Sequence, residues 1–350
     1  MKIKRRTALA VGGLLTSLTL TACGGGSEGG GELAGSWEEI VAAAEDEGEV
    51  TIYSTHAPDN LELLKKAFEK KYPDIELTYV RGTDADILPK VEVENETGRG
   101  AADVHMTTDA GWIDRSLEAD YSVDVVGPSF DEEAYDRAAS VMEDKWFLTS
   151  ATIFGMAWNT DKYPQGLKTP EDALAPELNG KIGVSNPAGI PTYVDMYRRI
   201  DVDFGENYVE RLAEAKPRVY QSAVAIGQAI ASGEIWASPV VGTTVLTEKD
   251  AGAPIGFGVP EKPFGVPWYS HVLASAPHTN AAQVLADFLV TPEGQAAISA
   301  DYIPVLPDVE GTGIPGTDVL AQEVDLPDPD TLDQESVNAY QAEWEDLFLG

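Results

Sequence analysis

Cysteine is nearly absent, with one residue in 350, at position 23. That excludes a disulfide framework, a CxxC redox pair and a Cys-rich zinc site. Histidine is almost as scarce, and four residues leave little for a His-based metal centre. Positive charge is short as well: 24 Lys and Arg face 59 Asp and Glu, for a formal charge of −35. Such an acidic surface repels phosphate backbones and excludes general nucleic-acid binding. Beyond residue 20 no apolar run approaches the length of a membrane span. There is no GxSxG, no HExxH and no phosphate loop with its Lys-Ser/Thr. Gly311-Thr312-Gly313-Ile314-Pro315-Gly316 fits GxGxxG by letter only, because no apolar strand feeds it and Pro315 lacks an amide for a pyrophosphate. It reads as a turn. No catalytic residue, metal ligand or cofactor is expected, and the chain reads as a non-enzyme.

What is present begins with a basic n-region, Lys2, Lys4, Arg5 and Arg6, followed by the apolar run Ala8 to Leu20. The run is short for a span and matches a secretory signal peptide. Leu20-Thr21-Ala22-Cys23 resembles the bacterial lipobox, in which the cysteine is lipidated and becomes the new N-terminus. The alternative is an ordinary signal peptide with a chance cysteine. Arg5-Arg6 leaves Sec and twin-arginine export both open. Loss of residues 1–22 removes four positive charges, leaving 20 against 59, or −39. Gly24 to Gly31 then form a flexible tether with almost nothing to pack. The expected location is the outer face of the cell membrane, with the exported body held there by lipid alone.

At 43% hydrophobic the chain can bury a large core, and its length suggests two lobes. Helical spacing of Leu61, Leu64, Phe68 and Tyr72 lies between strands at Glu49–Ser54 and Ile75–Val80, and a third strand covers Ala102–Met106. Strand, helix, strand, helix, strand predicts a parallel α/β sheet. Trp146 to Asn159 is a β-rich run long enough to cross between lobes, and Ser270 to Ala274 returns. Lys181–Ser185 and Ile235–Val241 are strands of the second half. The expected organisation is signal peptide 1–22, tether 23–35, lobe 1 over 36–148, hinge strand and lobe 2 over 149–258, return to lobe 1 over 259–300, and an acidic tail over 301–350. After Lys262 there are 15 acids and no Lys or Arg; a last amphipathic helix is expected near Tyr340 to Phe348.

In open α/β sheets ligands bind outside the C-terminal ends of strands, where helix N-termini present free amides. Five such ends carry small or hydroxyl-bearing residues. Ser54, Thr55 and His56 follow the first strand, Thr83 the second, Thr108 and Asp109 the third. Ser185, Asn186, Ala188 and Gly189 follow a strand of the second half, and Thr243 and Thr244 another. Each alone reads as turn or capping chemistry; together they define a polar cleft, to which Ser222, Trp158 and Tyr269 are added as candidates. Hydroxyls and helix amides favour an anionic ligand, and Asp109 is the candidate partner for an amine at its other end.

Several stretches resemble the extracellular solute-binding proteins of ABC importers, of the type that includes the ferric-iron binders. They are Glu49 to Ser54, Ala102-Asp103-Val104, Thr108-Asp109-Ala110-Gly111, Ala157-Trp158-Asn159-Thr160 and Gly180 to Val184. Ser232-Gly233-Glu234-Ile235, Ala276 to Ala282, Asp287-Phe288-Leu289 and Pro292-Glu293-Gly294-Gln295 are the most specific. The resemblance implies a type II periplasmic-binding-protein-like fold: two lobes, each a mainly parallel sheet flanked by helices, joined by crossing hinge strands. It also implies a monomer that closes on its solute and delivers it to a membrane permease driven by a cytoplasmic ATPase. His105 departs from the family's third strand. The adjacent Tyr pair of ferric binders is replaced here by Ser238 to Thr244, the hinge Tyr by Trp158, and Ala151-Thr152 stand where an anion-holding Arg is expected. The expected ligand is therefore a phosphonate, phosphate ester or carboxylate, possibly zwitterionic, with ferric iron, a polyamine or thiamine as the alternative. An enzyme on this scaffold and a surface adhesion protein are the competing classes.

Overall fold

The computed structural model describes residues 33–188, 190–205, 207–314, 317–324 and 333–350. The expected signal peptide, Cys23, most of the tether and Gly189 lie outside the described residues.

Local chemistry sets the first elements. The Ser36 hydroxyl accepts from the Glu39 N–H and the Glu39 carboxylate accepts from the Ser36 N–H, a capping box that opens α1 (Trp37–Glu47). Gly48, at φ 76°, ends it in the left-handed region that glycine adopts without penalty. β1 (Glu49–Ser54) follows, then α2 (Pro58–Lys71), which begins with proline at a position where no amide is needed and buries Leu61, Leu64 and Phe68. β2 (Glu76–Arg81), α3 (Asp84–Thr97), β3 (Val104–Thr107) and α4 (Ala110–Glu118) complete a unit in which β1 lies between β2 and β3, parallel to both.

After β4 (Ser122–Val123), α5 (Arg137–Ser140) and β5 (Val141–Met142) comes β6 (Trp146–Asn159), in which every residue but Thr152 and Trp158 is buried. Apolar and small polar residues follow one another there without strict alternation because both faces are covered. The second half of the chain adds β7 (Gly183–Ser185), α6 (Pro191–Phe204), α7 (Tyr208–Glu214), β8 (Arg218–Tyr220), α8 (Ala223–Ser232), β9 (Ala237–Gly242), α9 (Leu246–Asp250) and β10 (Ile255–Gly258). It returns through β11 (Gly265–Leu273), α10 (Thr279–Leu289), α11 (Pro292–Ile298) and β12 (Ile303–Pro304), and ends in α12 (Gln334–Leu349).

β6 and β11 are the crossing strands. The first half of β6 pairs antiparallel with β11, whose other edge pairs with β3; the second half pairs with β9 and β10. The cores separate at the same places. Residues up to Ile153, and again from Tyr269 to Val324, share one core, while Phe154 to Val266 form the others. Parallel pairing is thus concentrated in β1–β3 and β7–β8, and the hinge strands are antiparallel because one leaves lobe 1 and the other comes back. The return strand starts five residues earlier than its sequence suggests, since Gly265-Val266-Pro267 hides a strand start behind glycine and proline.

The segment 301–350, expected as an acidic tail, packs into both lobes. Ile303, Val305, Leu306, Ile314, Ala321 and Val324 are buried in the lobe 1 core, and α12 packs Trp344 into lobe 2. Its apolar residues are spaced irregularly among Pro, Asp and Gly, so no helix or strand period announces their burial.

Candidate functional site

Between the lobes lies a cleft of about 530 Å³, with walls from both sides and the hinge strands at its back. Lobe 1 contributes the start of α2, at Ala57, Asp59 and Asn60, and the turns around Asp301-Tyr302 and Gly311-Thr312-Gly313. Lobe 2 contributes Thr243, Thr244, Leu246, Lys249 and Asp250; Thr152 and Trp268 come from β6 and β11.

Trp268 is held on three sides. Its indole N–H donates to the Thr55 hydroxyl at 3.1 Å, the His56 ring lies 4.9 Å away and the Tyr302 ring meets it edge-on at 5.4 Å. His56 is wholly buried beneath this pair, 4.5 Å from Tyr302. Its Nδ1 accepts the Ala57 N–H at 2.9 Å, which assigns the proton to Nε2, and that N–H donates to the Ser150 hydroxyl at 3.2 Å. Burial pushes its pKa down to about 3, so the ring is neutral and acts as a wedge that sets the aromatic wall.

Asn60 explains why the 300–302 turn reaches the cleft. Its amide donates to the carbonyls of Ile298 and Ala300, at 3.0 and 2.9 Å, tying the end of α11 to the start of α2. Gly313 then donates to the Tyr302 carbonyl at 2.7 Å, and both Gly311 and Gly313 have positive φ. The turn rejected as a nucleotide loop is therefore part of the cleft wall. On the other side the Thr152 and Thr243 hydroxyls lie 2.7 Å apart, joining the hinge strand to the end of β9. The start of α2 carries no side-chain cap, and Asp59 and Asn60 there are within its first turn. Lys249 makes no ion pair among the described residues, and Arg81 stands nearby, donating to the His56 carbonyl at 3.4 Å. The cleft thus combines donors, one ammonium, an aromatic face and the carboxylates of Asp59, Asp250 and Asp301.

The candidate residues divide sharply by position. Thr243 and Thr244 line the cleft, and Thr55 and His56 stand directly behind it. Ser54 is buried and accepts from the His56 N–H at 3.0 Å. Thr83, Asp109 and Ser222 cap α3, α4 and α8, and the Asp109 carboxylate already accepts the Trp112 N–H at 2.8 Å. Thr108 donates to Asp84. Tyr269 is buried in the lobe 1 core, its pKa raised to about 12 by burial. Trp158 packs over Gly166 and Gly256 within lobe 2, and Trp112 is buried in lobe 1, so neither faces the cleft. Ser185, Asn186 and Ala188 lie outside the cleft wall, at the same end of lobe 2 as Thr243, because Ile182 pairs parallel with Ala237.

Sequence reasoning missed Lys249, Asp59, Asp301, Tyr302 and Thr312 as cleft residues. Lys249 carried a signal: it is the only Lys or Arg between Arg218 and Lys262, five residues beyond Thr244. Tyr302 and Thr312 carried none, since only the fold brings their turns to α2. Among the described residues no group of three or more His, Cys, Asp and Glu is placed to hold a metal.

Two α/β lobes on antiparallel crossing strands, with a polar cleft between them, define a periplasmic-binding-protein fold. The chain belongs to the bacterial extracellular solute-binding protein family, which it matches over residues 64–323. It is accordingly an extracellular solute-binding protein and not an enzyme. Solved structures agree on the fold. Iron-bound HitA from Pseudomonas aeruginosa is 18% identical, with a TM-score of 0.64 over 85% of this chain and 99% of that one. AfuA from Actinobacillus pleuropneumoniae, with exogenous fructose-6-phosphate bound, is 20% identical, with a TM-score of 0.61 over 87% and 99%. IdiA (FutA) from Trichodesmium, in complex with iron and citrate, is 22% identical, with a TM-score of 0.59 over 86% and 98%. No curated protein sequence matches this chain.

Proposed function

We propose that this protein captures a small, anionic, oxygen-rich solute, of the phosphate-ester, phosphonate or carboxylate class, and presents it to an ABC permease. One observation carries the reading: Lys249 from lobe 2 and the uncapped start of α2 from lobe 1 open onto the same cleft, beside Trp268. An ammonium and helix amides are donors aimed at anionic oxygen, and the indole face suits the apolar side of a sugar or short carbon chain. The acid expected to hold an amine, Asp109, is engaged as a helix cap; Asp59, Asp250 and Asp301 take that role here. The relative that binds fructose-6-phosphate supports this class.

Ferric iron is the second reading, and the relatives' names favour it more directly, since two of the three bind iron. Tyr302, Asp59 and Asp301 are hard oxygen donors on one side of the cleft, the type that Fe(III) prefers. Iron carried with citrate would also use Lys249. A polyamine or thiamine would find the Trp268 face and the carboxylates of Asp59, Asp250 and Asp301 in the same cleft, but the Lys249 ammonium beside them opposes a cation. Delivery is proposed from a monomer, exported and anchored by lipid on Cys23.

Calorimetry of the purified protein against fructose 6-phosphate, 2-aminoethylphosphonate, citrate, ferric citrate and spermidine tests these readings. Binding of a phosphorylated or carboxylated solute without iron, weakened about 10-fold or more by Lys249→Ala, is expected from a charged hydrogen bond of about 1.5–3 kcal/mol. Binding of ferric citrate alone, with a visible phenolate band lost in Tyr302→Phe, would establish the second reading instead.

A further inference from the structure

The C-terminal helix lies outside the family match, which stops at residue 323, and the three related chains are 98–99% covered while taking up only 85–87% of this one. The contacts of α12 converge on one place. Gln341 donates from its amide to the Pro187 carbonyl at 2.7 Å. Trp344 is 1% exposed, stacks on Phe348 at 4.3 Å and leans on Tyr197 at 5.6 Å. The Tyr197 hydroxyl in turn donates to the carbonyl of Ser185, the last residue of β7, at 2.6 Å. The Arg198 guanidinium donates to the Ser336 carbonyl at 3.0 Å and lies over the Tyr340 ring at 5.1 Å, fixing the helix along its length.

The other backbone contacts of this place are few: Ile182 bridges to Ala237, and the Asn186 N–H donates to the Tyr220 carbonyl at 2.8 Å. β7 is three residues long and is hydrogen-bonded as a strand only to β8, also three residues long. The turn that follows is closed by short contacts of its own: the Asn186 carboxamide oxygen accepts the Ala188 N–H at 2.8 Å, and the Pro187 carbonyl accepts the Ile190 N–H at 3.0 Å. That carbonyl has two lone pairs, and Gln341 takes the second. The same turn leads into α6 at Pro191 and stands at the end of lobe 2 that carries Thr243.

We propose that α12 is a positioning element which fixes the turn after β7, at the ligand-facing end of lobe 2, through the Gln341–Pro187 hydrogen bond and the Trp344–Tyr197 contact. Its consequence for binding rests on the solute-binding reading of that end; its effect on the turn does not, and is read without ligand. In the intact protein, amide hydrogen exchange of the peptide spanning 184–194 is compared for the parent, Gln341→Ala, Gln341→Glu and Gln341→Lys.

Both variants without a donor are expected to speed exchange in this peptide about 5- to 10-fold, while peptides from β9 and α8 stay as in the parent and the melting temperature barely moves. Gln341→Lys, which restores a donor of similar reach, is expected to return exchange close to the parent's. Unchanged exchange in 184–194, a uniform rise across lobe 2, or a lysine that restores nothing would each overturn the proposal. If solute-binding fails its own calorimetric test while the exchange result holds, the positioning role stands and only its purpose changes.

Discussion

The two lobes hold themselves together differently. Lobe 1 has one continuous core running from Ile40 to Val324, built on β1, β2 and β3 and the adjoining halves of the hinge strands. Lobe 2 divides its apolar residues into two smaller cores, and the larger needs Trp344 from the end of the chain to close it. Lobe 1 also contains all four histidines, three of them fully buried, while residues 154–266 contain none. A molecule made of one self-sufficient lobe and one that borrows a helix should fail in two separable ways. Acid should attack the first, and truncation of a single ring should attack the second.

Acidification is expected to have the larger effect. His56 and His105 are pushed down to about 3 by burial, and His271 is lowered well below its ordinary value by burial and by its neighbour His105. His105 Nδ1 faces His271 Nε2 at 3.1 Å, and His271 Nδ1 is 2.7 Å from the Ser122 hydroxyl, so no carboxylate stands ready to accept a new charge. A histidine lowered in the fold contributes its full stability above pH 6.5. That contribution is lost as pH falls from there towards 3, because the unfolded chain takes up the proton first. At pH 5 this amounts to about 2 kcal/mol for each of His56 and His105, with His271 acting in the same direction. His278 has the opposite sign: its pairing with Asp103 raises its pKa, so its contribution is complete below pH 6.5 and is not lost on this descent. Hydrogen exchange at pH 7 and pH 5, corrected for intrinsic rates, is expected to show lobe 1 losing protection first. Equal loss in both lobes would break the comparison.

Trp344→Ala is the next largest. Truncating a buried tryptophan costs about 3 kcal/mol, the low end of its range, because a helix near the chain end can settle into part of the space. Urea denaturation is expected to separate into two transitions, with lobe 2 melting first and lobe 1 keeping the parent's midpoint. A single cooperative transition shifted as a whole would mean that the lobes stabilise each other more than their cores suggest.

These contrasts were unevenly legible in the sequence. Lobe 1 announces itself: Leu61, Leu64 and Phe68 repeat at helical spacing between strands that alternate, and β6 stands out as a long β-rich run with few turn signals. The hinge was legible for the same reason. The borrowed helix was visible only in part. Tyr340 to Phe348 reads as amphipathic, but nothing in its spacing says which lobe it covers, since that depends on Tyr197 more than a hundred residues away. The site was the least legible. Thr243 and Thr244 could be named because they end a strand whose direction follows from the pattern. Tyr302, Asp301 and Thr312 could not, because the Asn60 amide, donating to carbonyls some 240 positions along the chain, is what brings their turns to the cleft. Polar residues after strands were over-read: Thr83, Asp109 and Ser222 are of the type that contacts ligands, yet stand at helix N-caps.

The hinge offers a smaller lever. A Cβ on Gly265 would stand 2.0 Å from the Thr152 carbonyl oxygen, where β11 leaves lobe 2 against β6. Gly265→Ala must push two backbones apart at a place with no flexible side chain to give way. The expected cost is about 1–3 kcal/mol, the usual range for overpacking. Scattering from the unliganded protein is expected to show a changed radius of gyration with both lobes still folded, which would sharpen the division by separating hinge geometry from lobe stability. A variant as compact and as stable as the parent would place the give elsewhere than in the β6–β11 ladder.

Thr243→Val should have the smallest effect on stability and tests the seam itself. Valine matches threonine in shape, so packing is kept while the 2.7 Å contact with the Thr152 hydroxyl is removed. Thr243 is 7% exposed and Thr152 only half-buried, so water from the cleft can replace part of what is lost. The net cost is then about 1 kcal/mol, the ordinary worth of one neutral hydrogen bond. It should appear as a melting shift of about 2 °C, the scale for a chain somewhat larger than 250 residues. Binding need not follow stability here. If the Thr243 hydroxyl also contacts the solute, affinity for whichever compound the calorimetric panel identifies should fall further than the melting point implies, and Thr152→Val, which removes the same hydroxyl contact from the hinge side, should not match that fall. Equal losses from the two substitutions would mean that the pair acts by joining β6 to β9, and that lobe 2 meets its solute through the rest of its wall, Thr244, Leu246, Lys249 and Asp250.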